Sequence, residues 1–272
     1  MEKVITKTWR FIPYEERTAY ENMAIDEVLM TSYRLYHKPI FRLYGWYPAG
    51  FSIGYSQNPF QFLDVQECLS QNISIVRRLT GGGCIPHTQG ITYSLVFSDT
   101  DINLADSVKA SFQYLCYFLI NFYRQLGLEA DFAINTKGNE PLGDFTDLCF
   151  ASSQHYDITI GSKKIGGNAQ KRNKDLIFQH GFIPVNRNKK MDSFFRKKTE
   201  EPIYTLEDFG ITENVASLAQ KLKKAFTATH GVDLNPSALD NEEKALYAHL
   251  VADKYRTQQW NLHRIDPLKP KS

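Results

Sequence analysis

Three short segments hold the residue types that bond-making chemistry requires. The first is Arg77-Arg78-Leu79-Thr80-Gly81-Gly82-Gly83-Cys84, with His87 close behind. Three consecutive glycines after a strand let backbone N–H groups approach a ligand without an intervening Cβ. The two arginines bring charge for a phosphate or carboxylate. No Gly-Lys-Ser/Thr follows, so the segment is not a Walker loop. Taken alone, it also fits a plain turn between strands. The second segment is Gly161-Ser162-Lys163-Lys164-Ile165-Gly166-Gly167-Asn168-Ala169-Gln170. Gly161-Ser162 between alternating runs predicts a hairpin turn. Lys164 then sits just past the turn, facing about Thr159, where an ammonium can hold a carbonyl oxygen or a phosphate. Without the glycines beside it, a solvated hairpin lysine is the simpler account. The third is Asp147-Leu148-Cys149-Phe150. Most lone cysteines are small buried hydrophobes. Cys149, however, lies between a Gly- and Asp-bearing stretch and the polar run Ala-Ser-Ser-Gln-His, and a loop thiol near a lysine is a potential nucleophile.

These segments need elements to position them. The run Thr6 to Ile12 reads as a first strand and Glu15 to Leu35 as a helix. Ile40 to Trp46 and Phe51 to Gln57 read as strands joined into a hairpin by Tyr47-Pro48-Ala49-Gly50. Strands are predicted at Ile73 to Arg78, Ile91 to Phe97, Ala130 to Ile134, His155 to Ile160, Lys163 to Ala169 and Leu176 to Val185. Phe112, Leu115, Leu119, Phe122 and Leu126 keep a helical period through Val108 to Leu126. Arg187 to Lys198 carries six Lys or Arg residues and reads as a surface segment, either simply solvated or docking an acidic partner. Helices are predicted at Glu213 to Thr229 and Glu242 to Tyr255. The order is neither all-β nor a regular βαβ alternation, which argues against a dinucleotide-binding sheet. The expectation is α+β: a mixed sheet flanked by helices, one catalytic domain over 1–272 with its core at about 6–186 and a helical C-terminal extension at about 205–264.

Composition narrows the function classes. The 272 residues are 42% hydrophobic and 23% charged with a formal net charge of +2, which gives no general case for nucleic-acid binding. Cys68, Cys84, Cys116 and Cys149 form no CxxC pair, so neither a zinc site nor a disulfide framework is expected. The N-terminus lacks the apolar run of a signal peptide, and no stretch approaches the ~20 apolar residues of a membrane span. A cytoplasmic protein that binds no membrane is expected.

Taken in order, the motif blocks resemble the biotin/lipoate protein ligase superfamily, in particular its lipoate–protein ligase and octanoyltransferase group. Trp9-Arg10-Phe11-Ile12 and Asn22-Met23-Ala24-Ile25-Asp26-Glu27 resemble the family's start, and Tyr44-Gly45-Trp46 with Ser52-Ile53-Gly54-Tyr55 its early strands. Arg77 to Gly83 with His87 and Thr92-Tyr93-Ser94 resembles its substrate loop. Lys164 to Gln170 with Gln179-His180-Gly181 resembles its lysine motif, and Tyr255, Trp260-Asn261 and Arg264 its C-terminal signature. Cys149, 15 residues before Lys164, is similar to the cysteine of LipM-type octanoyltransferases. The triple glycine is more ligase-like, and Thr88 stands where both branches commonly place Asp.

The resemblance implies the following expectations. The fold is like the biotin/lipoate ligase catalytic domain. Cys149 and Lys164 are catalytic. Arg77, Arg78, Gly81, Gly82, Gly83, His87, Gly166, Gly167, Asn168, Ala169 and His180 bind substrate, and no residue holds a metal. An acyl carrier protein donates an octanoyl group to Cys149. A lysine of a lipoyl domain, or of a glycine-cleavage H-type protein, then takes it from the thioester, with no cofactor and with the enzyme a monomer. Lys164 favours the thiolate and holds each oxyanion. His87, His155 and His180 are candidates for the base that deprotonates the amine. The alternatives are an ATP- and Mg-dependent lipoate–protein ligase working through lipoyl-AMP, an amidotransferase between lipoyl domains, and a non-catalytic binder of such domains. Cys149 is ten residues before Thr159, about 33 Å along a straight strand, so residues 149–154 are expected to fold back over the hairpin.

Overall fold

The structure, a computed structural model, describes residues 7–102, 108–136, 157–197 and 204–269. In chain order its elements are β1 (Thr8–Arg17), α1 (Ala19–Tyr36), β2 (Ile40–Trp46), β3 (Gly50–Ile53), α2 (Val65–Ser70), β4 (Ser74–Arg77), β5 (Ile85–His87) and β6 (Gly90–Phe97). There follow α3 (Val108–Gln125), β7 (Ala130–Phe132), α4 (Ala133–Thr136), β8 (Ile158–Ile160), β9 (Lys163–Lys164), β10 (Gly167–Asn173) and β11 (Leu176–Pro184). The chain ends with α5 (Val215–His230), β12 (Asp233–Pro236), α6 (Asn241–Leu250) and α7 (Gln258–Asn261).

A six-stranded mixed sheet in the order β10-β11-β6-β2-β1-β12 forms the frame. Its central strands β2, β6 and β11 are buried along their whole length, so apolar residues occupy both faces. On one face α3 and α5 bury Phe118, Leu222 and Phe226 against Phe41 and Phe97. On the other, α1 sets Ile25, Leu29 and Met30 against Ile40, Val96 and Phe178. A three-stranded sheet, β4-β3-β5, has its own core of Phe51, Phe62, Ile75 and Cys84. Met191 and Phe194, from the basic segment, close that core. The segment is therefore anchored by two apolar residues, while Lys189, Lys190 and Lys197 stay exposed.

Several boundaries differ from the sequence-based expectations. Helix α1 begins at Ala19 because Thr18 and Glu21 form a reciprocal capping box there. The expected hairpin across residues 47–50 does not form. β2 is flanked by β1 and β6, and β3 by β4 and β5, so neither has an edge free for the other. The Tyr47-Pro48 segment, with a cis peptide bond, instead carries the chain from one sheet to the next. The expected strand at 163–169 divides at Gly166, whose φ of +77° turns the chain from the small sheet β7-β8-β9 into the large one. The C-terminal segment is more than a helical extension. α5 fills the main core, and β12 pairs in parallel with β1 as an edge strand.

Candidate active site

A narrow, largely apolar cavity lies where the large sheet, the β4-β3-β5 sheet and α1 meet. The loop at 77–87 and the hairpin at 161–170 both reach it: Arg78 and His87 line it from the first, Gly167, Asn168 and Ala169 from the second. Trp46 and His87 stack with centroids 3.6 Å apart and planes 9° apart, and Phe182 meets His87 edge-on at 4.6 Å. Most polar atoms of these walls are tied to one another, while His87 Nδ1 is buried without a hydrogen-bond partner among the described residues. Trp46 Nε1 donates to Thr92 Oγ1 at 2.8 Å, and His87 Nε2 shares a hydrogen bond with Ser52 Oγ at 2.7 Å. Arg78 donates to both oxygens of Ser52. What remains for a ligand is mainly ring faces and glycine backbone, which makes an apolar slot suited to a flexible hydrocarbon chain. Burial, then the nearby Arg78 and His180, push the His87 pKa well below the usual histidine value, so its ring is neutral at neutral pH.

The glycine loop is held from beneath. The Arg78 guanidinium donates to the carbonyls of Gly81 (3.0 Å) and Gly83 (2.9 Å). Gly82 adopts a φ of +94°, and its carbonyl crosses so close to Gly54 that a Cβ there would lie 1.9 Å from it. Thr80 shares a 2.7 Å hydrogen bond with His180 Nε2, and His180 Nδ1 lies 3.8 Å from Asp26. Asp26 is buried, yet Arg42 at 2.8 Å, His180 and the Tyr44 hydroxyl outweigh the burial and keep its carboxyl below the usual range. Burial dominates at His180 and lowers its pKa, although Asp26 pulls the other way. A neutral ring with its N–H toward the carboxylate leaves Nε2 to accept the Thr80 hydroxyl, so the carboxylate fixes the loop's first residue through the imidazole.

The structure separates the two arginines. Arg78 lines the cavity, whereas Arg77 does not. Its guanidinium donates to the carbonyls of Tyr55 (2.7 Å), Gln57 (2.8 Å), Trp260 (3.0 Å) and Asn261 (2.9 Å), joining β4 to the C-terminal segment. Arg77 borders instead a separate surface pocket lined by Gln57, Asn58, Phe60, Leu262 and Arg264. Gly81, Gly82 and Gly83 border the cavity through Arg78 and are not among its lining residues.

Lys164 pairs with Thr159 across the hairpin, as the turn at Gly161-Ser162 predicts. Its ammonium is nearly buried and lies 2.7 Å from Asp157. Gly166 follows, where a Cβ would lie 2.5 Å from the Phe182 carbonyl, and the chain then enters the cavity wall at Gly167. Lys164 is thus three residues upstream of that wall, at most about 10 Å of extended chain. Asn168 is held by the Tyr93 hydroxyl at 2.8 Å, and His180 and Ala169 face each other across β11 and β10. Cys149 and His155 lie outside the described residues. Cys68, Cys84 and Cys116 are all buried, and burial pushes the Cys68 and Cys116 thiols up to about 12. Among the described residues no cluster of His, Cys, Asp and Glu is arranged to hold a metal ion.

Sequence reasoning from the three segments missed Trp46, Thr92 and Phe182 as wall residues, Asp26 as the anchor behind His180, and Asp157 as the partner of Lys164. Most of the wall residues belong to strands whose periodicity reads as core, and nothing local distinguishes a cavity wall from a packed one.

A mixed sheet flanked by helices, with an apolar slot beside a glycine loop and a buried lysine next to one wall, defines the class: an α+β domain of the lipoyl ligase catalytic type. Residues 18–233 match the family model of the lipoyl protein ligase A/B catalytic domain, and the chain belongs to that family. It is 31% identical to octanoyltransferase LipM of Brevibacillus brevis, over 94% of this chain and 99% of the relative. It is 31% identical to octanoyltransferase LipM of Bacillus subtilis, over 95% and 99%. Among solved structures, a lipoate-protein ligase A bound with ATP superposes with a TM-score of 0.77 at 24% identity, covering 94% of this chain and 98% of that one. A bi-partite lipoate protein ligase from Thermoplasma acidophilum gives 0.75 at 24% identity, covering 97% and 98%. These two share the fold.

Proposed function

We propose that this protein is an octanoyltransferase of protein lipoylation, moving an octanoyl group from an acyl carrier protein to a lysine of a lipoyl acceptor domain. The observation that carries the reading is the apolar cavity with Lys164 beside its Gly167 wall, in a chain similar to LipM octanoyltransferases over nearly its whole length. In the first step the Cys149 thiolate attacks the donor's thioester carbonyl. The carrier's sulfur leaves as a thiolate and takes a proton, so the acyl group rests on Cys149. In the second step the acceptor's ε-amine attacks that thioester, loses a proton, and releases the Cys149 thiolate as the amide forms. Exchange between thioesters is nearly isoenergetic and amide formation is downhill, so neither ATP nor a metal enters. Lys164 favours the thiolate and holds the oxyanion of each tetrahedral intermediate. Gly166 and Gly167 keep the backbone open beside the reacting carbonyl. The enzyme works as a monomer in the cytosol. Among the described residues no helix is long and apolar enough to cross a membrane.

Mixing with octanoyl-carrier protein should place an octanoyl adduct, labile to hydroxylamine, on Cys149. Cys149→Ala should lose adduct and transfer together, while Cys84→Ala and Cys116→Ala keep both. The triple glycine Gly81-Gly82-Gly83 favours the second reading, an ATP-dependent lipoate ligase. Product formation by Cys149→Ala with lipoate and ATP, with AMP released, would replace the first reading by the second.

A further inference from the structure

Beyond the acyl cavity, its walls run on into an open groove of about 1150 Å³. Helix α1 lines the cavity with Met23 and the groove with Glu27, Met30 and Arg34, one stripe of the helix at i, i+4, i+7 and i+11. The strand β10 lines the cavity with Ala169 and the groove with Lys171, two residues on and so on the same face, roughly 7 Å further along. The loop beneath them continues from Arg78 in the cavity to Leu79 in the groove.

The charge of this groove is one-sided. Its two carboxylates, Glu27 and Asp266, both engage the buried Lys254, at 2.9 and 3.2 Å. Four cations remain: Arg34, Lys171, Arg264 and Lys269. Among the described residues none of them has a carboxylate within ion-pair distance. Two of them flank one aromatic ring, with Lys171 Nζ 5.8 Å and the Arg264 guanidinium 5.7 Å from the Tyr55 centroid. Burial and the surrounding Lys254, Lys269 and Arg34 hold the Lys171 pKa below the usual lysine value, against the pull of Glu27. Lys171 is half-buried and Arg34, Arg264 and Lys269 are exposed around it, and like charges gathered on a concave surface raise the potential there and favour an anion that several of them can share. A phosphate suits the arrangement: Arg264 can offer a fork of donors and Lys171 a point charge, over the Tyr55 ring.

We propose that the groove is a phosphate-recognition site, with Lys171 and Arg264 as its principal donors, and that it seats the phosphodiester of the donor's pantetheine arm. This assignment rests on the octanoyltransferase reading for its donor. Seven residues separate Lys164 from Lys171, at most about 23 Å of extended chain. The arm between a carrier's phosphodiester and its thioester sulfur, counted as about five extended residues, spans roughly 17 Å. With two lysine side chains to close the difference, one donor can present its thioester at Lys164 while its phosphate rests on Lys171. A nucleotide phosphate shares the same chemistry, and the two sources separate by experiment.

Calorimetric titration of the intact protein with 4′-phosphopantetheine, pantetheine and ATP tests the site directly, whether or not transfer is observed. The expected result is that 4′-phosphopantetheine binds about tenfold or more tightly than pantetheine, from two charge-assisted contacts. The double variant Lys171→Ser, Arg264→Ser should bring that ratio close to one, while Lys171→Arg keeps it. In transfer assays the ratio of kcat/KM for octanoyl-phosphopantetheine over octanoyl-pantetheine should fall in the same variant. Equal affinity for the two pantetheines, or a ratio unchanged in the double variant, overturns the phosphate site. Loss of ATP binding in the variant with the pantetheine ratio intact would assign the groove to a nucleotide and overturn the donor assignment. If the wild type transfers from neither octanoyl donor while the binding ratio holds, the octanoyltransferase reading fails and the phosphate site stands.

Discussion

Lys164 and Asp157 form an ion pair nearly out of contact with water, with side chains 7% and 12% exposed. Removing one partner of a nearly buried ion pair leaves the other charge misplaced and uncompensated. In the proposed mechanism the ammonium is what polarises the acyl carbonyl, so Asp157 acts through Lys164 as a positioning residue. Asp157→Asn is expected to slow acylation by about tenfold, because the ammonium loses the carboxylate 2.7 Å away that positions it. Asp157→Glu should restore part of the rate. Lys164→Ala should slow acylation by about 10²–10³, the cost of losing one oxyanion donor. Stopped-flow acylation of Cys149 measures both, and an unchanged rate in Asp157→Asn would show that the carboxylate does not position the lysine.

The glycine loop is an element whose shape comes from its underside. Arg78 gathers two of its carbonyls, Thr80 is tied through His180 to Asp26, and Gly54 allows the Gly82 carbonyl to pass where any Cβ would collide. Gly54→Ala places that Cβ 1.9 Å from a backbone oxygen, so the loop itself must move. Loops over a bound chain are sensitive to displacements of this size, and a shift of about 1 Å can cost roughly 10² in rate. Gly54→Ala is expected to fold with a cooperative melting transition and yet transfer at least about tenfold more slowly. Wild-type kinetics in this variant would remove the loop from the reaction. The same element view explains Arg77. A guanidinium with four or more main-chain carbonyls as acceptors is a structural joint, even though its neighbour Arg78 faces the cavity.

At the scale of the molecule, α5 and β12 make the C-terminal segment part of the main core. His230, the last residue of α5, is half-buried with its ring packed against Phe226, Tyr114 and Phe118, and neither of its buried ring nitrogens has a hydrogen-bond partner among the described residues. Burial lowers its pKa from 6.5 to about 4. The unfolded chain therefore takes up this proton first as pH falls. The stability that the neutral ring confers is complete above about pH 6.5 and is lost as pH drops towards 4, on the order of 3 kcal/mol in all. His87 and His180, also shifted down, act in the same direction. Urea unfolding at pH 7 and pH 4.5 should show a clear fall in midpoint, and His230→Phe should show a smaller one. An equal fall in His230→Phe would move the acid lability elsewhere.

Much of the candidate site's local geometry was legible from residue types and order. The turn at Gly161-Ser162 fixed Lys164 opposite Thr159, because a two-residue hairpin leaves no freedom of register. The alternation and length of the apolar runs located β6, β11 and α3 to within a residue or two. The α+β class followed from their irregular order. Sheet membership was not legible. Ile40 to Trp46 and Phe51 to Gln57 look like partners along the chain, but pairing is settled by which edges other strands have already taken. Nor could sequence separate Arg77 from Arg78, since adjacent strand residues point to opposite faces and only the packed fold decides which face holds the cavity. The partners of buried charge, Asp157 for Lys164 and Arg42 for Asp26, come from distances that folding alone sets. A charged group can be buried only where another element brings the opposite charge to it.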